Sequence, residues 1–367
     1  MPILVNELAC QQGVIGHITL DSPATLNALS EDMITDMQAA LDQWRDDDRI
    51  CLVVLDANGD RAFCAGGDIV ALYQSMTGSG DATAAPRFFA REYQLIHHLH
   101  CYPKPVVGLA QRVVMGGGMG LLSACRYRLV TPDLMMAMPE ITIGLYPDVG
   151  ASWFLNRLPA GLGLFLGLTG ARLNASDALR VGLADMAVHT DGRAPLLTQL
   201  QSQSWTGSVA ADDNRLYRLL NQLDAPSPEQ LPASQLADYE QTIAQLCRKG
   251  TLPEVVGRLL SHPDGDDWWR SCIQNLRCGC PVTAWLVSEQ LKRAQQMSLK
   301  DIVEMELAMA QECVRRPDLR EGIRARLIDR DQKPVWSYPR VEDVPAEVIA
   351  AHFVPGWADD NPPMTLD

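Results

Sequence analysis

The sequence predicts an α/β protein: an alternating strand–helix core of about 200 residues followed by a mostly helical C-terminal part. Two observations predict it. Short apolar runs of the kind that form strands buried on both faces, such as 50–55 (ICLVVL) and 105–110 (PVVGLA), alternate with helical spacing through the first half. From about residue 200 strand-like runs nearly vanish and helical patterns take over. The expected organisation is therefore a core over 1–200 and a helical region over 201–367.

Residues 14–20 (VIGHITL) read as a strand, broken by Asp21-Ser22-Pro23. Ser30 then caps a helix whose apolar positions Met33, Met37, Leu41 and Trp44 recur at helical spacing. After the strand at 50–55, residues 58–67 form a loop that leads into a helix. The strand at 105–110 is followed by Gly116-Gly117-Gly118 and a short helix, and 127–130 and 134–137 are short strands. Helices follow over 162–169 and 175–181, the second capped by Asn174 and ended by Gly182. Residues 224–234 (DAPSPEQLPAS) are rich in Pro and Ser and read as a loop or linker. Helices are expected over 234–248, 281–297 and 298–313.

Composition narrows the function. Apolar residues make up 47% and charged residues 21%, a globular balance. The net charge of −14 opposes binding to nucleic acid or to an anionic membrane, without opposing a small anionic ligand held locally. The most apolar stretch, 105–125, carries Gln111 and Arg112 and does not read as a membrane span. The first residues, MPILVNELACQQG, lack the pattern of a signal or transit peptide, so a cytoplasmic location is expected. Ten scattered cysteines in so long a chain read as reduced thiols. Cys272, Cys278 and Cys280 lack paired C-x-x-C spacing, and His97, His98 and His100 do not fit H-E-x-x-H, so neither group reads as a metal site. Gly150-Ala151-Ser152-Trp153-Phe154 fails the nucleophile-elbow pattern at its last position. The run at 116–121 places Leu121 where a dinucleotide fingerprint needs its third glycine.

Two Gly-containing turns remain, Phe63-Cys64-Ala65-Gly66-Gly67-Asp68 and Met115-Gly116-Gly117-Gly118, each after a buried strand and before a helix. Small residues let a ligand approach the backbone, and the first amides of a helix carry unpaired, partly positive N–H groups. Two such turns facing one carbonyl oxygen would form an oxyanion hole; taken singly, either could serve only tight packing. The third element is 138–150 (MPEITIGLYPDVG), where Glu140 and Asp148 sit eight residues apart in an apolar stretch. Semi-buried carboxylates suit acid, base or nucleophile roles. The plainer alternative is a solvated loop for Glu140 and a helix cap for Asp148.

These residues resemble the crotonase, or enoyl-CoA hydratase/isomerase, superfamily: FCAGGDI (63–69), the GGG turn (116–118), MPEITIGLYPDVG (138–150), LTGARLNASDALRVGLAD (168–185) and LNAL (26–29) occur in order. Within it the chain is most similar to the 3-hydroxyisobutyryl-CoA hydrolases. Hydratases place a catalytic glutamate two residues after the GGG turn, where this chain has Gly120, and usually glycine where it has Asp148. EGIRARLIDRDQKPVW (321–336), the His352-Phe353 segment and FFAREY (88–93) match hydrolase segments as well. The resemblance implies a spiral of ββα turns that binds acyl-CoA, with the helical C-terminal region completing the site and any oligomer contacts. It implies Ala65 and Gly117 as oxyanion-hole donors, Glu140 and Asp148 as catalytic carboxylates, and Glu92 and Gly67 at the substrate. The expected reaction is hydrolysis of 3-hydroxyisobutyryl-CoA or 3-hydroxypropionyl-CoA, as in valine catabolism; isomerisation or hydration of an enoyl-CoA is the alternative. No cofactor and no metal are expected, CoA being part of the substrate, and homo-oligomerisation is left open.

Overall fold

The computed structural model describes residues 2–223, 225–263, 265–357 and 363–366. Asp224, the first residue of the expected linker, lies outside the described residues.

Among the described residues nine strands run β1 (Ile3–Ala9), β2 (Val14–Leu20), β3 (Ile50–Ala57), β4 (Ala62–Cys64), β5 (Val106–Ala110), β6 (Val113–Met115), β7 (Tyr127–Val130), β8 (Met135–Ala137) and β9 (Met186–Ala187). They form a six-stranded sheet in the order β1-β2-β3-β5-β7-β9 and a three-stranded sheet in the order β4-β6-β8. The pairs β3–β4, β5–β6 and β7–β8 each give one strand to each sheet and are each followed by helical structure, which is the expected ββα repeat. Apart from the antiparallel β1–β2 hairpin, the large sheet is parallel. Parallel strands are covered on both faces, which is why β3 is buried along all eight residues and legible as an unbroken apolar run. The edge strand β1 buries only Ile3 and carries no alternation, so it escapes a reading by period.

The chain divides into two compact units. One comprises Met1–Gly67, His98–Met136 and Leu173–Ser234; the other comprises Asp68–His97, Ala137–Arg172 and Gln235–Asp367. This division differs from a single cut near residue 200, for a reason visible in the packing. Trp205, Leu216, Leu219 and Leu220 join Ile15, Leu52, Val54, Val107 and Leu129 in one apolar cluster, so the segment after 200 belongs with the large sheet. In the other unit, Phe165 from helix Leu162–Thr169 stacks on Trp269 at 5.5 Å, and Tyr239 stacks on Trp269 at 4.8 Å.

Several helix boundaries follow their caps. Ser30 accepts from the Met33 amide at the start of Glu31–Arg45. Asn174 and Asp177 form a capping box, and Gly182 ends that helix at φ +76°. Ser298 and Asp301 form another at the start of Leu299–Arg315. The helix expected over 234–248 is shorter, Glu240–Cys247, because the Ser234 hydroxyl bonds Asp177 at 2.6 Å rather than capping a helix. The one expected over 281–297 turns from α to 3-10 geometry after Arg293.

Candidate active site

In the first unit the LNAL segment organises the first Gly turn. Leu26 and Asn27 both lie in the left-handed region, at φ +57° and +54°. That bend buries the Asn27 side chain, whose oxygen accepts from Ser22 N–H at 2.8 Å and whose amide donates to the Asn58 and Ala62 carbonyls at 3.0 Å. Ala65 N–H donates to the Leu26 carbonyl at 3.1 Å, and Leu29 N–H to the Gly66 carbonyl at 2.8 Å. The expected oxyanion donor Ala65 is thus engaged by the LNAL segment, and a ligand oxygen would have to share or replace Leu26.

The second Gly turn packs directly on the first. Gly66 adopts φ +107°, and a Cβ there would lie 3.3 Å from the Met115 carbonyl and 3.8 Å from the Gly117 nitrogen. A Cβ on Gly118 would fall 2.4 Å from the Cys64 carbonyl oxygen. Only glycine permits so close a backbone approach. Gly117 opens helix Gly117–Ala124, so its N–H has no carbonyl within the helix to bond. The structure therefore brings the Ala65–Gly66–Gly67 and Gly116–Gly117–Gly118 turns together, as an oxyanion hole requires.

In the second unit Glu92, Glu140 and Asp148 are buried at 2%, 5% and 4% exposure. Both plainer alternatives fail here. Glu140 is enclosed in a 3-10 turn, Glu140–Thr142, rather than solvated. Helix Ala151–Leu155 starts from Gly150 with no side-chain cap, and the Asp148 carboxylate instead accepts from Tyr93 O–H at 2.7 Å. Glu92 Oε1 and Glu140 Oε2 have no hydrogen-bond partner among the described residues. An unpartnered buried carboxyl oxygen is costly, and function is the usual reason for keeping one.

The electrostatics mark the same three groups. Burial pushes Asp148 up to about 7, the Tyr93 hydroxyl pulling the other way. Burial, reinforced by the Asp148 charge, holds Glu92 and Glu140 well above the ordinary carboxylate range. Buried carboxyls whose affinity for the proton is raised this way suit proton transfer, and the ionised form of one suits attack on a carbonyl. Among the described residues no group of three or more His, Cys, Asp or Glu side chains is arranged to hold a metal ion.

The loop that carries Glu140 and Asp148 is fixed by C-terminal helices. Cys280 N–H donates to the Ile141 carbonyl at 3.0 Å, and Gln290 Nε2 to the Pro147 carbonyl at 2.9 Å. Tyr146 O–H donates to the Glu306 carbonyl. A Cβ on Gly144 or Gly322 would strike the Asp318 or Ile143 carbonyl at 2.5 and 2.2 Å, so the EGIRARLIDRD segment lies backbone to backbone with this loop. Sequence reasoning missed Tyr93, Tyr146 and Glu306. Tyr93 adjoins Glu92 in the quoted FFAREY, but nothing in the sequence marks Glu306, a charged residue in a helical run.

A family model described as enoyl-CoA hydratase/isomerase matches residues 15–353. A Danio rerio protein named 3-hydroxyisobutyryl-CoA hydrolase, mitochondrial, is 36% identical over 344 residues, 93% of this chain and 87% of its own. The Homo sapiens protein of that name is 33% identical over 346 residues, 94% of this chain and 87% of its own. The crystal structure of an enoyl-CoA hydratase from Rhodobacter sphaeroides 2.4.1 is similar at TM-score 0.83 and 33% identity, covering 97% of this chain and 98% of that one.

Proposed function

The chain belongs to the enoyl-CoA hydratase/isomerase family, and we propose that within it the protein is an acyl-CoA thioester hydrolase that converts 3-hydroxyisobutyryl-CoA to the free hydroxy acid and CoA. The observation that carries this reading is the likeness to hydrolases over more than nine-tenths of the chain.

Ala65 and Gly117 N–H are the proposed donors to the thioester carbonyl. Attack at carbon moves charge onto that oxygen, where two amides are worth most. Glu140 is the proposed attacking group or base. As nucleophile it forms a mixed anhydride and expels the CoA thiolate, which takes up a proton, and water then opens the anhydride. As base it takes a proton from the attacking water. In both routes one water is consumed and a carboxylic acid and a thiol result. Asp148 and Glu92 are proposed to bind the 3-hydroxyl, since a short polar acyl group needs polar partners in an apolar pocket, and Gly67 to leave room for the substrate backbone. We propose that no metal or cofactor takes part; full activity after chelation is the expected result. 3-Hydroxypropionyl-CoA is the other proposed substrate, one methyl group being worth only about 1–3 kcal/mol.

Hydration of an enoyl-CoA is the second reading, favoured by the name of the Rhodobacter sphaeroides structure. Gly120 opposes it, standing where hydratases carry their second glutamate. Chromatography of purified protein with 3-hydroxyisobutyryl-CoA and, separately, crotonyl-CoA distinguishes the two. Free CoA from the hydroxy ester alone is expected. A hydroxyacyl-CoA formed from crotonyl-CoA, with its thioester intact, would replace the hydrolase reading by the hydratase one.

Among the described residues no helix is long and apolar enough to cross a membrane. A cytoplasmic location remains a proposal, set against relatives whose names read mitochondrial. Fractionation of the source cells decides it.

A further inference from the structure

Asp148 lies two residues before Gly150, the N-cap of helix Ala151–Leu155, and that glycine has no side chain to cap with. The backbone turns sharply after Asp148, with Val149 at φ +53° and Gly150 at φ +82°. A β-branched residue stays in the left-handed region only when its surroundings over-determine it. Glu306, on helix Leu299–Arg315, supplies that constraint. Its Oε2 accepts from Gly150 N–H at 2.7 Å and its Oε1 from Ser152 N–H at 2.9 Å. Its main-chain carbonyl accepts from Tyr146 O–H, and Glu306 itself is 0% exposed. On the other flank Tyr93 O–H donates to Asp148 Oδ2 at 2.7 Å, with the two tyrosine oxygens 3.2 Å apart.

We propose that Glu306 is a positioning residue for the reaction: it accepts from Gly150 and Ser152, whose N-cap residue has no side chain to do so, and anchors Tyr146, leaving the Asp148 carboxyl to be set by Tyr93. The proposal rests on the hydrolase reading for the identity of the step, and on this geometry alone for the residue's role. Each tyrosine has one hydroxyl proton. With Asp148 ionised, Tyr93 gives its proton to Asp148 and Tyr146 gives its own to the Glu306 carbonyl. When Asp148 gains a proton, that proton can point at the Tyr93 oxygen and the Tyr93 proton at the Tyr146 oxygen, because the Tyr146 proton is already held by Glu306. Asp148 can thus change charge without moving a side chain or stranding a hydroxyl.

Glu306→Gln tests this, because its NH2 group meets a backbone N–H where an oxygen had accepted one. The expected result is a KM for 3-hydroxyisobutyryl-CoA within about threefold of the parent and a kcat lower by roughly tenfold or more, with an unchanged circular dichroism spectrum. Unchanged kcat overturns the proposal, and so does a loss that only follows the folded fraction. Tyr93→Phe is the second arm if Glu306→Gln fails to fold. Losing a donor to the ionised form should move the acid limb of the kcat–pH profile upward, and an unmoved limb overturns the proposal. The groups facing Asp148 are Glu92 and Tyr93 from helix Ala84–His100, Glu140 from its 3-10 turn, Tyr146 beside it, and Glu306 and Cys313 from helix Leu299–Arg315. If the parent protein hydrates crotonyl-CoA and releases no CoA, the hydrolase reading fails alone, and the same two variants are then read on that turnover.

Discussion

Asp148 illustrates what one buried carboxyl does to both stability and turnover. Its folded value near 7 lies above the unfolded value of about 3.9, so folding favours the protonated form. The sign follows: stability from this group falls as pH rises from about 4 to about 7 and stays lost above it. Asp148→Asn removes that penalty. The variant is expected to melt higher than the parent at pH 8 and with a smaller difference at pH 5, while turning over much more slowly and discriminating less for the 3-hydroxyl. Equal melting shifts at both pH values would count against the assignment. Glu140→Gln is expected to abolish release of CoA while a CoA ester still binds, as titration calorimetry would show; near-normal turnover would remove Glu140 from the chemistry. Glu140 and Asp148 were legible because carboxylates in an apolar run are conspicuous. Their burial and the bond of Asp148 to Tyr93 were not, since a local sequence does not say what packs over it.

At the scale of elements, the two Gly turns depend on a backbone contact that side chains would prevent. Gly118→Ala would set a methyl group 2.4 Å from the Cys64 carbonyl oxygen, where only backbone could yield. We expect a cost of about 1–3 kcal/mol in denaturant unfolding and a kcat/KM lower by at least about tenfold, as the turns separate. Gly257, inside helix Leu252–Ser261, has nothing within 4 Å of the same methyl position. Gly257→Ala should therefore be neutral or stabilising by up to about 1 kcal/mol, with activity intact. If both variants behave alike, close approach is not what Gly118 provides. The glycines themselves were readable in the sequence; which of them pack and which merely occur in a helix was not.

Across the whole molecule, a buried acid of the first unit and three of the second carry opposite pH dependences. In the first, Asp56 is 1% exposed, 2.9 Å from His17 and bonded by Arg193 at 2.7 and 3.0 Å. Burial pushes its pKa up, but His17 and Arg193 outweigh burial and hold it below the ordinary value. Its contribution is present above an unfolded pKa of about 3.9 and is lost as pH falls through the folded one. The buried acids Glu140, Asp148 and Glu306 of the second unit act in the reverse sense, losing stability as pH rises. Asp56→Asn should cost about 3–5 kcal/mol at pH 7 by urea unfolding, since it strands the Arg193 guanidinium, and the cost should shrink toward pH 3. A cost that stays constant with pH would assign the effect to packing instead.

The sequence by itself determined the α/β class, most strands, the helix ends at Ser30, Asn174 and Gly182, the two Gly turns and the paired carboxylates. Each of these is written in residues close together, as a period, a cap or a turn. Tertiary structure decided what those local signals leave open. It assigned residues 201–234 to the sheet-bearing unit, buried Glu140, and gave the capping of Gly150 and Ser152 to Glu306, more than 150 residues away. The reason is physical: a long-range hydrogen bond leaves no period in the chain, and a buried glutamate on a helix has the same local pattern as a solvated one.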